Sequence, residues 1–197
     1  EIIDDELYFN DLNLMEMIET YGTPLRFTYL PMVSKKIQQA KLLFQQAIVK
    51  NNYRGSYKYC YCTKSSHFKH IVEEALKNDI HLETSSAFDM PMIDALEKKG
   101  VLKKDMTVIC NGFKTFQYKT YIIDMLHDGF KNIIPVLDNK EEFNIYDDEV
   151  EMDTPCNLGI RIAAEEQPNS QFYTSRLGVR LEDIIDFYHN KIEDNPK

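Results

Sequence analysis

Apolar positions along this chain alternate between two spacings. Short runs rich in β-branched and aromatic residues predict strands at 25–29, 57–62, 80–84, 107–110, 132–137 and 157–163. Between them, apolar residues at three- and four-residue intervals predict helices at 33–50, 67–77, 91–98, 117–127, 141–146 and 181–189. In the first helix Ile37, Ala40, Lys41, Phe44, Ala47 and Ile48 share a stripe, with Ser34 placed to cap its start. Gly100 and Gly129 stand where helix ends favour positive φ. Strand starts recur about every 23 to 32 residues, the spacing of βα units, so the chain is an α/β protein with a parallel sheet.

A doubly wound open sheet and a (β/α)8 barrel both satisfy this alternation. No GxGxxG or GxxxxGK[ST] follows any strand, which removes support for a dinucleotide or nucleoside-triphosphate loop. Polar and ionisable residues do follow successive strands: Lys64, then Ser85, Ser86 and Asp89, then Asn111, then Asp138. A barrel gathers such strand-end residues at one mouth, although polar strand ends are also what any soluble protein shows.

The 197 residues hold 23 Lys+Arg against 32 Asp+Glu, a formal net charge of −9. That sign repels phosphate backbones and anionic lipid heads, which argues against nucleic-acid or membrane partners. No apolar run reaches the roughly 18 to 20 residues of a membrane-spanning helix and no secretory leader opens the sequence, so a cytoplasmic location is expected. Cys60, Cys62, Cys110 and Cys156 form no CxxC pair and are expected to be small buried hydrophobes. The sequence opens at Glu1 without a methionine and stops just after a helix, which suggests a segment of a longer protein.

Four charged groups stand out. Lys64 ends an apolar strand; such a lysine is ordinarily solvated, but a desolvated amine at a barrel mouth has a lowered pKa and attacks carbonyls as a Schiff-base nucleophile. Glu83 interrupts an apolar strand and calls for a cationic partner, Lys64 being a candidate if the two strands are neighbours. Asp89, six residues on, is placed to cap the helix starting near Pro91. Arg161 lies within an apolar strand, where a charge must find a partner or an anionic ligand. A long polar connection, 165–174, follows it. Cys60, Cys62, His67 and His70 have the wrong spacing for a zinc knuckle, and His81, His127 and His189 are scattered, so no metal is expected. Neither GxSxG nor HExxH is present.

Several runs, taken in order, match a family. Tyr21-Gly22-Thr23-Pro24-Leu25, Cys62-Thr63-Lys64-Ser65-Ser66, Ile109-Cys110-Asn111-Gly112-Phe113-Lys114, Gly159-Ile160-Arg161-Ile162 and Ser175-Arg176-Leu177-Gly178 resemble the N-terminal half of pyridoxal-phosphate (PLP) decarboxylases of the alanine-racemase-like barrel class. That class includes the ornithine, diaminopimelate and biosynthetic arginine decarboxylases, and the third and fifth runs are most similar to the arginine enzymes. The resemblance implies a partial (β/α)8 barrel with about five of its eight strands. Residues 31–197 would be the N-terminal part of the PLP-binding barrel. Residues 1–30 would be an N-terminal segment whose strand pairs with a C-terminal β domain outside this sequence.

It further implies that Lys64 holds PLP as a Schiff base, that Glu83 lies close to lysine and cofactor, and that Arg161 lies near the ring's phenolic oxygen. Ser86, Asp89 and Asn111 would have supporting roles. The implied reaction is decarboxylation of a basic amino acid, arginine to agmatine in polyamine biosynthesis or else ornithine or diaminopimelate, by a homodimer when complete. A PLP-binding barrel without catalysis is the rival. Two departures from the commonest pattern stand in the sequence: Cys62-Thr63 precedes the lysine where Ala-Val is usual, and Glu83 stands where Asp is frequent.

Overall fold

A computed structural model describes residues 1–151, 154–163 and 178–196. The chain forms two compact units, Glu1–Leu30 and Pro31–Lys197.

In the first unit, strands β1 (Ile2–Ile3), β2 (Glu6–Phe9) and β3 (Leu12–Asn13) form an antiparallel sheet in that order. The β1–β2 turn places Asp4 and Asp5 at φ 51° and 65°, the paired left-handed residues of a tight hairpin, which Asp tolerates better than most side chains. Helix α1 (Leu14–Tyr21) starts at Asn13, whose side-chain oxygen accepts from the Met15 and Glu16 amides. Phe9 meets Phe27 and Tyr29 edge-on at ring separations of 5.4 and 5.3 Å. The strand predicted at 25–29 is absent: no described strand lies alongside to complete its hydrogen-bond ladder.

In the second unit, helix α2 (Leu30–Lys50) leads into β4 (Cys60–Cys62), α3 (Lys69–Leu76), β5 (His81–Thr84), a 3₁₀ turn (Ala87–Asp89) and α4 (Met90–Lys98). Then follow β6 (Val108–Cys110), α5 (Phe116–His127), β7 (Ile133–Leu137), α6 (Glu142–Glu149), β8 (Gly159–Ile160) and α7 (Leu181–Lys191). Ser34 is not the cap of α2, because that helix starts four residues earlier, at Leu30. Its hydroxyl instead donates to Glu74 at 2.5 Å and accepts from Asn78 at 2.9 Å, tying α2 to α3.

The sheet order is β4-β5-β6-β7-β8, every pair parallel. A doubly wound sheet reverses its order at a switch point; a strictly sequential order is that of a barrel wall. Burial agrees. Leu82, Val108 and Ile133 stand side by side in register and are fully enclosed, on the face the helices cover. Cys62, Glu83, Ile109 and Ile134 form the adjacent row, and all four are only partly buried. One face is therefore packed and the other open, as in the wall of a (β/α)8 barrel, of which these strands form an arc. Among the described residues, no helix is long and apolar enough to cross a membrane.

The asymmetry between the faces is measurable. Leu82→Ala should cost about 3 kcal/mol of unfolding free energy, as large-to-small changes in enclosed sites do, whereas Ile109→Ala on the open face should cost roughly 1 kcal/mol, because its side chain already meets solvent. Urea denaturation of the two variants checks this; equal costs would mean that both faces are packed.

Candidate functional site

In a parallel sheet every strand leaves at the same end, so the residues that follow β4 to β8 share one rim. Lys64, Ser85, Ser86, Asn111, Asp138 and Arg161 all stand there, with Glu83 next to last in β5.

Lys64 lies just beyond β4, the edge strand. Thr63 pins the backbone beside it, its amide donating to the Glu83 carbonyl at 2.9 Å. The lysine side chain is solvent-exposed and, among the described residues, makes no hydrogen bond or ion pair. The expected desolvated amine is thus not what this chain presents. The cause lies in topology: among the described residues β4 has a neighbouring strand on one side only.

Glu83 does sit on the neighbouring strand, in register with Cys62, yet its partner is not Lys64. Asn111, from the next strand over, donates to its carboxylate at 3.1 Å while accepting from the Gly112 amide at 2.9 Å. The Gly112 turn needs glycine: its φ is +83°, and a Cβ would lie 2.7 Å from the Ser85 carbonyl oxygen. The Asn-Gly pair thereby brings the turn after β6 onto the turn after β5.

Asp89 turns back on its own loop. One carboxylate oxygen accepts from the Ser85 amide, the Ser86 amide and the Ser86 hydroxyl at 3.0, 3.1 and 3.2 Å. It therefore caps the 3₁₀ turn rather than α4, whose start receives no side-chain cap. Ser86 and Asp89 shape the β5–α4 connection instead of pointing reactive groups at the rim.

Arg161 follows β8 rather than lying inside it. Its backbone is tied on both sides, the amide to Leu137 at 3.0 Å and the carbonyl to the Val179 amide at 2.7 Å, and its guanidinium meets Asp138 at 3.4 Å. Gly178 makes room for this crossing: at φ +106°, a Cβ there would lie 2.7 Å from the Ala163 nitrogen. The remainder of the Ser-Arg-Leu-Gly run, residues 175–177, and the 165–174 connection lie outside the described residues.

Two buried groups escaped the sequence. The Lys114 ammonium is fully enclosed and donates to the carbonyls of Gly112, at 2.8 Å, and Val136, while Glu142 stands 3.3 Å away. Glu142 also accepts from the Asp138 amide at 3.2 Å. A lysine and a glutamate next to a helix start look solvated in sequence; only the return of α6 over the β6 turn encloses them. Burial pushes the Cys110 and Cys156 thiols up to about 11, and burial followed by the Glu83 charge raises Cys60, which makes these three poor nucleophiles. Of the four cysteines expected to be buried, Cys110 is enclosed and the others are half-buried. Among the described residues no cluster could hold a metal ion. Cavities of about 540 Å³ between α3 and α4 and about 340 Å³ between α6 and α7 open on the helical side, and neither is lined by Lys64, Glu83 or Arg161.

Asp89→Ala should destabilise the chain by about 1 to 2 kcal/mol, the usual worth of a helix-start cap, with Asp89→Asn recovering part of it. Thermal denaturation of both variants tests this; an unchanged midpoint for the alanine variant would remove its capping role.

No protein-family model matches the sequence. Curated relatives do. The chain is 29% identical over 100 residues to the biosynthetic arginine decarboxylase of Alkalilimnicola ehrlichii, covering 49% of this chain and 15% of that protein. It is 23% identical over 188 residues to the biosynthetic arginine decarboxylase of Prochlorococcus marinus, covering 88% of this chain and 28% of that protein. It superposes on the diaminopimelate decarboxylase of M. jannaschii with a TM-score of 0.75 at 15% identity, over 98% of this chain and 44% of that one. On the biosynthetic arginine decarboxylase of Campylobacter jejuni the TM-score is 0.69 at 16% identity, over 92% and 29%. The chain thus spans less than a third of the length of its curated relatives, and its fold is part of the alanine-racemase-like barrel of these decarboxylases.

Proposed function

We propose that this chain forms the lysine-bearing arc of a PLP-dependent decarboxylase of basic amino acids, with arginine as substrate and agmatine as product. The observation that carries the reading is the donor set on one rim: an unpartnered amine at Lys64, a carboxylate at Glu83 braced by Asn111, and a guanidinium at Arg161 braced by Asp138. An aldehyde-bearing ring with a phenolic oxygen calls for an amine and a cationic donor, so the residues present fit it. The similarity to arginine decarboxylases supports the substrate.

When bound, PLP supplies an aldehyde and a pyridinium ring that draws off the electron pair left as carbon dioxide departs. On this reading Lys64 would hold the aldehyde carbon through Nζ, and Arg161 would donate to the phenolic oxygen. Glu83 supplies negative charge beside the lysine strand, and its bond from Asn111 keeps that charge from swinging towards the open edge. Ser86 and Asp89 act indirectly, by fixing the turn that follows Glu83.

Strands lie about 4.8 Å apart, so four steps separate the ends of β4 and β8 by about 19 Å along the sheet, and curvature shortens the straight path. Lys64 and Arg161 thus stand at the two ends of the arc, and on this reading a ligand would be gripped at both.

The test is release of carbon dioxide from carboxyl-labelled arginine, ornithine and diaminopimelate, with PLP added, by the protein as its gene encodes it. Arginine should be turned over fastest, and Lys64→Ala should reduce release to background with loss of cofactor absorbance. Full activity in Lys64→Ala would end the proposal. The 197 residues alone should retain no cofactor after desalting and release no carbon dioxide, since among the described residues the outer edge of β4 has no partner strand.

A further inference from the structure

We infer that the buried Lys114–Glu142 pair is a positioning device for Arg161, acting through Asp138. Lys114 is 0% exposed and Glu142 6%. The ammonium donates to the carbonyls of Gly112 and Val136 and has the Glu142 carboxylate 3.3 Å away, so the cation is engaged in the interior and makes no contact toward the rim. What the pair does instead is hold Glu142 Oε2 under the Asp138 amide. Asp138 is then fixed at both ends of its backbone, because its carbonyl accepts from the Gly178 amide at 2.8 Å.

Its carboxylate is 1% exposed, and among the described residues the Arg161 guanidinium is its one cationic contact, with Oδ2 left without a hydrogen bond. From the interior outward the chain runs from a cation, Lys114, through two carboxylates, Glu142 and Asp138, to a second cation, Arg161, and the two carboxylates are joined through the Asp138 amide rather than by their charges. A pair this deep contributes little net stability compared with apolar residues of similar volume, so its effect is sought in geometry. Arg161 is the outermost member, 41% exposed, with its backbone already tied; only the guanidinium is free to swing. Lys114 and Glu142 are thus positioning residues, not catalytic ones.

The inference rests on the cofactor reading only for the use made of the held guanidinium. It is tested without cofactor, by p-hydroxyphenylglyoxal modification of the protein as its gene encodes it and mass mapping of each arginine. Arg180, 65% exposed in a surface pair with Glu182, is the internal reference. In Asp138→Asn, and in the double variant Lys114→Met/Glu142→Leu, Arg161 should be modified at least about threefold faster, the factor set by losing a partly exposed ion pair, with Arg180 unchanged. A general loosening of structure would accelerate both arginines together. Either variant, folded and with Arg161 reacting at the parental rate, overturns the inference. So does failure of the double variant to fold, judged by circular dichroism, because the pair would then be holding the fold rather than the guanidinium. Since no cofactor enters the measurement, a negative result leaves the cofactor reading standing, and lack of PLP binding leaves this inference standing.

Discussion

The whole rim follows from one constraint, the parallel ladder laid down in sequential order. Because β4 to β8 pair with immediate neighbours in the same direction, each connection must carry the chain back outside the sheet, and each strand must end at the same edge. The helices that make those returns cover one face and leave the other open, which is why Glu83 can occupy a strand without being enclosed in apolar packing. A reversal anywhere in the order would have split these residues between two crevices.

On that rim each charged group is braced by the strand beside it. Asn111 after β6 holds Glu83 on β5; Asp138 after β7 holds Arg161 after β8; Lys114 after β6 holds Glu142, which holds Asp138. The backbone joins in, since Thr63 donates to the Glu83 carbonyl and Gly178 to the Asp138 carbonyl. Lateral bracing needs neighbours on both sides, and among the described residues β4 has one. The exposure of Lys64 is the same rule seen at the end of the row.

How much of this was legible in the sequence depends on how local the signal is. The apolar runs ending at Cys62, Thr84, Cys110 and Leu137 mark strand ends correctly, because β-branched runs bounded by polar residues report a local preference. The run at 157–163 shrinks to Gly159–Ile160, and that at 25–29 forms no strand, since a ladder needs a partner that periodicity does not supply. The N-terminal hairpins went unseen, being built on strands of two to four residues with too few positions to show alternation. At the rim, Lys64, Glu83 and Arg161 stand out by residue type, but their partners do not: Asn111 is 28 residues from Glu83, and Asp138 is 23 from Arg161. Glu142 gave no signal and Lys114 showed only as the last residue of the Ile109–Lys114 run, because enclosure is a property of how α6 returns and not of any short stretch.

The difference between the two ends of the row bears on how a ligand would be gripped. Arg161 is held before anything binds, so the orientation it offers costs little on association. Lys64 is free, so ordering its long side chain opposes binding, and in open water its contacts compete with solvent. On the proposed reading, this arc therefore supplies selectivity at the arginine end and covalent chemistry at the lysine end, while tight retention requires surfaces that close over the edge of β4. Affinity and reactivity would then respond to different substitutions: those at the Lys114–Glu142–Asp138 chain would alter how a ring is oriented, and those at Lys64 would alter whether it is held at all.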